Sequence, residues 1–348
     1  MNKTARRTIL IASTVFLVVA TYFSTGISAS VIVFDAIFGK RCSTLNDLRS
    51  NYYQLVKNRS DYQSLSKREV LSFMSGENRL TGYYYPGGKG TVICLHGMAS
   101  QSDGDDAEYQ NYFVEKGYSL FAVDLTASGR SKGEDAKGLH QSAYDALAAY
   151  RFLVSEGRLQ SPLIMVGHSW GGFGAAACLS IGVKADYVIT FSAFENPIDA
   201  MLNSAVRYTG WFGYLTYPPF AIGTSIRYGD DARLSAKSSL KNSSAEALLF
   251  HGDKDETVKP GDSLSIKAES LSNVRSVILS GAGHERPWVS NEARSYVDDF
   301  LFSLGKDVDS FTEEEINSKI VESGFDKNRG SELSEEVVSA IENLLKTD

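Results

Sequence analysis

Short runs of β-branched and aromatic residues alternate along the chain with longer stretches of helical periodicity. That alternation predicts a parallel sheet with helices packed on it. The strand candidates are Glu69–Phe73, Leu80–Tyr85, Thr91–Leu95, Ser119–Asp124, Leu163–Val166, Tyr187–Phe191, Ala247–Phe250 and Arg275–Leu279, the first two forming a hairpin. Helices are predicted over Ala107–Lys116, Gln141–Ser155, Gly171–Ile181 and Pro287–Leu304. The second carries Ala146, Leu147, Tyr150 and Val154 at helical spacing. A polar stretch from Ser43 to Asp61 reads as a helix preceding the sheet.

Between Glu195 and Ser244 the rhythm breaks, and Trp211, Phe212, Tyr214, Tyr217, Phe220 and Tyr228 crowd around Pro218 and Pro219. An insertion over the sheet edge is expected there. Its aromatics either fill a small core of their own or wall a pocket, the second reading making Trp211, Phe212, Tyr214 and Phe220 substrate-binding residues. Near the C-terminus Phe311, Thr312, Glu315 and Ile316 fit a capping box with a hydrophobic staple. Val337, Val338, Ile341, Leu344 and Leu345 form a second helical stripe. Between the two, Asp326, Asn328, Gly330 and Glu332 resemble a calcium loop, but Val337 stands where the bidentate glutamate is needed. A plain helical hairpin docked on the body is the simpler expectation.

The organisation expected is therefore an N-terminal apolar segment (1–41), a helical linker (42–68), an α/β domain (69–304) with a cap inserted at 195–244, and an acidic helical hairpin (305–348). Lys3, Arg6 and Arg7 precede an uncharged stretch from Thr8 to Phe34. It is long enough to cross a bilayer as a single-pass signal anchor, with the body outside the cytoplasm. Ser28, Ala29 and Ser30 follow its densest apolar part, so a cleaved signal and a secreted or periplasmic product is the alternative. A buried cytosolic helix is a third.

Composition narrows the chemistry. Of the 348 residues 43% are hydrophobic and 22% charged, which suits a globular domain and excludes disorder, collagen and coiled coil. Residues 305–348 hold twelve acids against five bases, which is the whole of the formal charge of −7. A neutral body with no basic face argues against nucleic acid as partner. Cys42, Cys94 and Cys178 are too few and scattered for a disulfide framework, and no CxxC or HExxH spacing offers a zinc site.

Gly167, His168, Ser169, Trp170 and Gly171 form a GxSxG directly after an apolar strand and before a helical run. A strand that feeds a helix through so tight a turn needs glycine on both sides of the serine. Serine is a poor nucleophile at neutral pH and needs a base to take its proton and a carboxylate to orient that base. Downstream, strand Ala247–Phe250 runs into Asp253 and Asp255, and strand Arg275–Leu279 runs into Gly283 and His284. Of five histidines only His284 lies beyond the acids. His96, His168 and His251, each at a strand end, read as packing and loop-shaping residues, and His140 has no assigned role.

These residues, with Leu95, His96, Gly97 and Met98 after the third strand and Asp124, Gly129, Arg130 and Ser131 after the fourth, resemble an α/β-hydrolase of the serine esterase, monoacylglycerol lipase and serine aminopeptidase type. The resemblance covers about Glu69 to Leu304 and implies a mostly parallel eight-stranded sheet flanked by helices. It further implies Ser169 as nucleophile, Asp255 as orienting acid, His284 as base, and the backbone N–H groups of Met98 and Trp170 as oxyanion hole. Two departures stand out. Leu125, Thr126 and Ala127 replace the family's arginine, glycine and histidine after the fourth strand, and Asp253 stands two residues from Asp255. The implied activity is hydrolysis of a carboxylic ester of a small or lipid-like substrate through an acyl-enzyme, with no cofactor. A serine peptidase or acyltransferase on the same residues, or a membrane-tethered binding module that has lost the chemistry, are the other readings.

Overall fold

Strands buried on both faces read as near-continuous apolar runs rather than alternating ones, and the central strands of this chain do, with polar residues mostly at their ends. The computed structural model describes residues 3–38, 41, 54–102, 106–305 and 308–346. Eight strands form one sheet: β1 (Glu69–Ser75), β2 (Asn78–Tyr85), β3 (Thr91–Leu95), β4 (Ser119–Asp124), β5 (Leu163–His168), β6 (Tyr187–Phe191), β7 (Glu246–Gly252) and β8 (Val274–Leu279). Their spatial order is β1-β2-β4-β3-β5-β6-β7-β8. β2 runs antiparallel to both neighbours, and every other pairing is parallel. The two-residue period of the strands divides their side chains between two cores. Ile93, Leu95, Phe121, Val123 and Met165 enter one, and Val92, Cys94, Leu120, Ala122, Ile164 and Val166 enter the other.

The helices covering the sheet are α2 (Ala107–Glu115), α3 (Gln141–Ser155), α4 (Trp170–Ala177), α7 (Ala236–Lys241), α8 (Leu264–Ala268) and α9 (Asn291–Ser303). The cap consists of α5 (Pro197–Thr209) and α6 (Gly213–Tyr228), joined through a 3-10 turn at Gly210–Phe212. Asn196 caps α5 by accepting from the Asp199 amide at 2.8 Å, with Pro197 at its first position. The C-terminal pair is α10 (Glu313–Ser323) and α11 (Glu335–Leu345). Thr312 and Glu315 form the reciprocal capping box of α10, and Val337, Ala340 and Ile341 bury α11 in the core behind the sheet.

Several expectations are corrected. On α3 the buried face is Ala143, Ala146, Leu147, Ala149 and Leu153, whereas Val154 is half exposed. The apolar stripe therefore lies one residue earlier at its C-terminal end. The helix expected from Pro287 starts at Asn291 instead, because Ser290 caps it and Val289 pairs with Leu333 of the C-terminal segment. The helix from Gly171 tightens into a 3-10 turn at Cys178–Ile181. Of the stretch Ser43–Asp61, residues 43–53 lie outside the described ones, as does Cys42. Its far end consists of separate turns, since Asn58 and Asp61 close a capping box over three residues and Tyr62 then returns to extended backbone. The loop resembling a calcium site is spent on itself and on α9. Asp326 Oδ1 accepts from the Asn328 amide at 2.9 Å, and the Tyr296 hydroxyl accepts from the Asp326 amide.

α1 (Lys3–Phe38) is a single helix whose apolar portion, Lys3–Ala29, has mean hydropathy 1.8 and no buried residue. By length and composition it can cross a membrane, as a signal anchor or as a signal sequence. Its far end meets the cap. A Cβ at Gly26 would lie 2.6 Å from the ring of Pro219 of α6, so the α1 backbone rests directly on that ring. Just beyond α1, Arg41 donates to the carbonyls of Ser131 and Gly133 at 2.9 Å and of Gly129 at 3.1 Å.

One buried ion pair ties three segments together. Arg286 Nε donates to Glu108 Oε1 at 2.9 Å, its Nη2 donates to the same oxygen and to the Gly330 carbonyl, and Trp288 Nε1 donates to Glu108 Oε2 at 3.2 Å. Both charged side chains are almost wholly buried. Removing one partner strands the other charge in a low dielectric, which typically costs about 3–5 kcal/mol. Glu108→Ala is therefore expected to lower the urea midpoint by that equivalent, while Glu108→Met with Arg286→Met recovers most of the loss. Full stability in Glu108→Ala would refute the role given to the pair.

Candidate active site

β5 delivers Ser169 to the end of the sheet, where it takes φ 52° and ψ −113° before α4 begins. A non-glycine residue in that region is strained and needs surroundings that hold it there. The turn is so tight that a Cβ at Gly167 would lie 2.3 Å from the Gly171 carbonyl oxygen, and one at Gly171 would lie 2.1 Å from the Leu95 oxygen. Both flanking glycines are thus demanded by backbone crossing on backbone. The Ser169 amide is spent on the Phe191 carbonyl at 2.8 Å, which fixes the turn against β6.

β7 and β8 bring the partners. His284 Nε2 and Ser169 Oγ are 2.9 Å apart, and His284 Nδ1 stands 2.8 Å from Asp255 Oδ2. The other Asp255 oxygen accepts from the amides of Thr257 and Val258, each at 2.8 Å. Burial by itself would raise the Asp255 pKa, but the hydrogen bond and charge of His284 and the Val258 amide hold it below the ordinary carboxylate value. Asp253 does not approach His284. Its Oδ1 accepts from the Gly281 amide at 2.7 Å and closes the turn between the two strands.

The remaining histidines act on loops. Burial drives the pKa of His96 down to about 4, so it is neutral at physiological pH. Its Nδ1 lies 2.7 Å from the Gly97 carbonyl and its Nε2 accepts from the Leu125 amide at 3.0 Å, which assigns the proton to Nδ1. One ring thereby pins the loop carrying Met98 to the loop after β4. His168, also held at about 4 by burial, meets the His284 carbonyl through Nε2 at 2.9 Å, and Ser192 Oγ donates to the same carbonyl at 3.2 Å. His251 Nε2 lies 2.8 Å from the Val258 carbonyl and 3.3 Å from Asp255. His140 is buried against Tyr228 of the cap at 4.6 Å between ring centroids, and burial holds it too at about 4.

The loop where the sequence departs from its relatives is anchored by other means. Asp124 accepts from the Ser102 and Arg130 amides and the Tyr83 hydroxyl, all at 2.9 Å. The Thr126 amide and hydroxyl bond to buried Asp145 at 2.7 and 2.9 Å. Asp145, Glu108 and Arg286 escaped the sequence reading. Asp145 and Glu108 sit on otherwise apolar helical faces, and Arg286 follows the base by two residues, a placement that is the one available signal.

A cavity of about 480 Å³ opens beside Ser169, walled by Met98, Leu139, Trp170, Phe194, Met201 and Val206 among others. Met98 and Trp170 border it on either side of the serine. As the first residue of α4, Trp170 has no intrahelical acceptor for its amide, and its indole is anchored on the Leu139 carbonyl at 2.7 Å. Of the four aromatic cap residues, Tyr214 lines this cavity. Trp211 and Phe212 do not: they stack on each other at 4.0 Å and are more than half exposed, because the Gly210 turn swings them to the outside of the cap. Phe220 lines a different space, between the cap and α1.

Three buried histidines whose pKa falls from the ordinary 6.5 to about 4 have a consequence for stability. Below pH 6.5 the unfolded chain takes up protons that the native state refuses, so stability is full above 6.5 and drains away as the pH falls toward 4. Each group accounts for on the order of 3 kcal/mol over that window. The urea midpoint should drop between pH 7 and 4.5, and His140→Phe should drop less steeply. Parallel slopes would show that His140 is not buried neutral.

The comparisons with known proteins bear on the fold. Residues 87–226 match the family model described as serine aminopeptidase, S33. No curated protein sequence matches the chain. Among solved structures, the esterase PF2001 of Pyrococcus furiosus superposes with a TM-score of 0.51 at 17% identity, over 69% of this chain and 89% of that one. Est1E of Butyrivibrio proteoclasticus, determined with ferulic acid bound, does so with 0.50 at 18%, over 68% and 100%. An acylaminoacyl peptidase of Pyrococcus horikoshii does so with 0.51 at 18%, over 72% of this chain but 44% of its own length. At such identities the likeness is one of fold. With this strand order and a serine on the turn between β5 and α4, the chain has the α/β-hydrolase fold.

Proposed function

We propose that the protein hydrolyses a carboxylic ester of a small or lipid-like molecule through an acyl-enzyme on Ser169, and that it does so held at a membrane by α1. The observation that carries this reading is the relay of 2.9 and 2.8 Å from Ser169 through His284 to Asp255, opening on a mainly apolar cavity. Ser169 Oγ attacks the ester carbonyl while His284 Nε2 takes its proton. Asp255 keeps the other proton on Nδ1 and stabilises the imidazolium that forms. The Met98 and Trp170 amides receive the developing oxyanion, each such donor being worth about 3 kcal/mol in the transition state. His284 then protonates the departing alkoxide, and water repeats the sequence to release the acid.

A peptidase reading has one feature in its favour besides the family model. Glu256 and Asp262 line the same cavity, alongside Arg207 and Lys259, and are the groups there that could meet a free α-amino group. Parallel assays on p-nitrophenyl acyl esters and aminoacyl p-nitroanilides separate the two. The ester reading requires the acyl esters to be turned over with the higher kcat/KM.

Ser169→Ala should lower ester turnover by several orders of magnitude and abolish fluorophosphonate labelling while the fold persists. Wild-type rates in that variant would remove Ser169 from the chemistry. Asp255→Asn should cost far more in kcat than Asp253→Asn, since one carboxylate faces the imidazole and the other closes a turn; reversed effects would exchange their roles.

For the membrane, the exposed apolar surface of α1 is the supporting observation, with Leu10, Phe16, Leu17 and Val18 each more than 60% exposed. Mass spectrometry of the mature N-terminus and carbonate extraction should find an intact terminus in the membrane pellet. A terminus near Val31 in the soluble fraction would mean cleavage.

A further inference from the structure

The contact between α1 and the cap is not closed. On one side of the Gly26–Pro219 crossing lies a groove of about 570 Å³, bounded by Tyr22, Gly26 and Ala29 of α1, Met201 and Ala205 of α5 and Phe220 of α6. That size is ordinary for a ligand site. Small residues at Gly26, Ala29 and Ala205 leave the space, and Pro218 and Pro219 inside α6 remove two backbone donors from the helix along it.

The wall contains hydroxyls, yet those of four residues are turned away from any ligand. Thr25 Oγ1 donates to the Thr21 carbonyl at 2.7 Å, Thr209 Oγ1 to Ala205 at 2.7 Å, Thr216 Oγ1 to Gly213 at 2.6 Å, and the Tyr22 hydroxyl to the Leu215 carbonyl. With those donors spent on the backbone and the Tyr217 hydroxyl the one other among the lining residues, the groove offers mainly dispersion contact. A polar ligand would lose its water there without compensation, whereas a hydrocarbon chain would not.

Position selects the source of that chain. At about 1.5 Å per residue, a helix entering the hydrocarbon at Arg7 leaves it some 30 Å later, near Ile27. Tyr22 to Ala29 then stand at the outer boundary of the bilayer, and the exposed Trp211 of the neighbouring cap is of the type enriched at that depth. The groove and the cavity beside Ser169 share Met201, an unbranched side chain able to swing aside.

We propose that the groove between α1 and the cap receives the acyl chain of a long-chain ester drawn from the surrounding membrane and leads it past Met201 to Ser169. The transmembrane segment is then part of the substrate-binding site as well as a tether. This assignment rests on the serine-hydrolase reading above and extends it to a substrate class.

The test uses the full chain in phosphatidylcholine vesicles and a hexadecyl fluorophosphonate carrying a diazirine at the far end of its chain. Ser169 Oγ displaces fluoride from phosphorus, its proton passing to His284, and the chain is left where the acyl group would lie. Irradiation should then cross-link the probe to peptides containing residues 22–29, 201–209 or 215–220. Labelled Ser169 with cross-links confined to other segments, or to lipid alone, overturns the groove and leaves the hydrolase reading standing. No labelling by this probe or by an ethyl fluorophosphonate overturns both. Independently, Ala205→Trp should lower the ratio of hexadecyl to ethyl labelling rates about tenfold, and an unchanged ratio would also overturn the groove.

Discussion

The turn at Ser169 depends on backbone approaching backbone at distances no side chain tolerates. Gly171 lies against the Leu95 carbonyl and Gly167 against Gly171 itself, so α4 can start directly over the end of β5. That proximity forces Ser169 into a left-handed conformation and lifts its hydroxyl clear of the sheet. The energetic cost of such a conformation, of order 1–3 kcal/mol, has to be met by surrounding structure. Here the Phe191 carbonyl on the Ser169 amide and the fully buried Trp170 and Phe173 hold the turn.

Everything else at the site serves to keep two loops within hydrogen-bond reach of that hydroxyl. The His284 loop is held from three directions: His168 and Ser192 on its carbonyl, Asp255 on its ring, and two residues on, Arg286 locked to Glu108. The loop bearing Met98 is held by the neutral ring of His96, whose two nitrogens are committed to the two loops it joins. These groups work in the dry interior, where a hydrogen bond is strong and an unpaired polar atom expensive. Rigidity at the serine is thus obtained from buried polar contacts rather than from more apolar packing.

The N-terminal helix stands in a different relation to the body. Among the described residues it adds nothing to either core of the sheet, and its contact with the rest is concentrated on α6, while the Arg41 side chain beyond it grips the 129–133 loop. Touching through Gly26 and Pro219, the two helices pack by shape, the kind of association that works in lipid, where apolar surfaces gain nothing from leaving water.

By itself the sequence determined the elements and their order. Strands such as Thr91–Leu95 and Tyr187–Phe191 are apolar apart from one threonine each and end at turns, and a parallel sheet is what such segments can form when separated by helices. It also determined the positions of the serine turn and His284, because glycine next to serine between a strand and a helix has a steric cause that can be read locally. The choice of Asp255 over Asp253 came from the family resemblance and not from the residues by themselves, since two residues' difference in a turn reverses which carboxylate faces the imidazole. The pairing of Glu108 with Arg286 was left to the fold, the two being 178 residues apart and joined by a charge balance that no local pattern records. The cap aromatics show the limit most clearly. Trp211, Phe212, Tyr214 and Phe220 are all large aromatics, yet one lines the serine cavity, one the groove beside α1, and two face outward. A side chain's hydrophobicity states that it gains from leaving water, and only the path of the backbone decides which surface receives it.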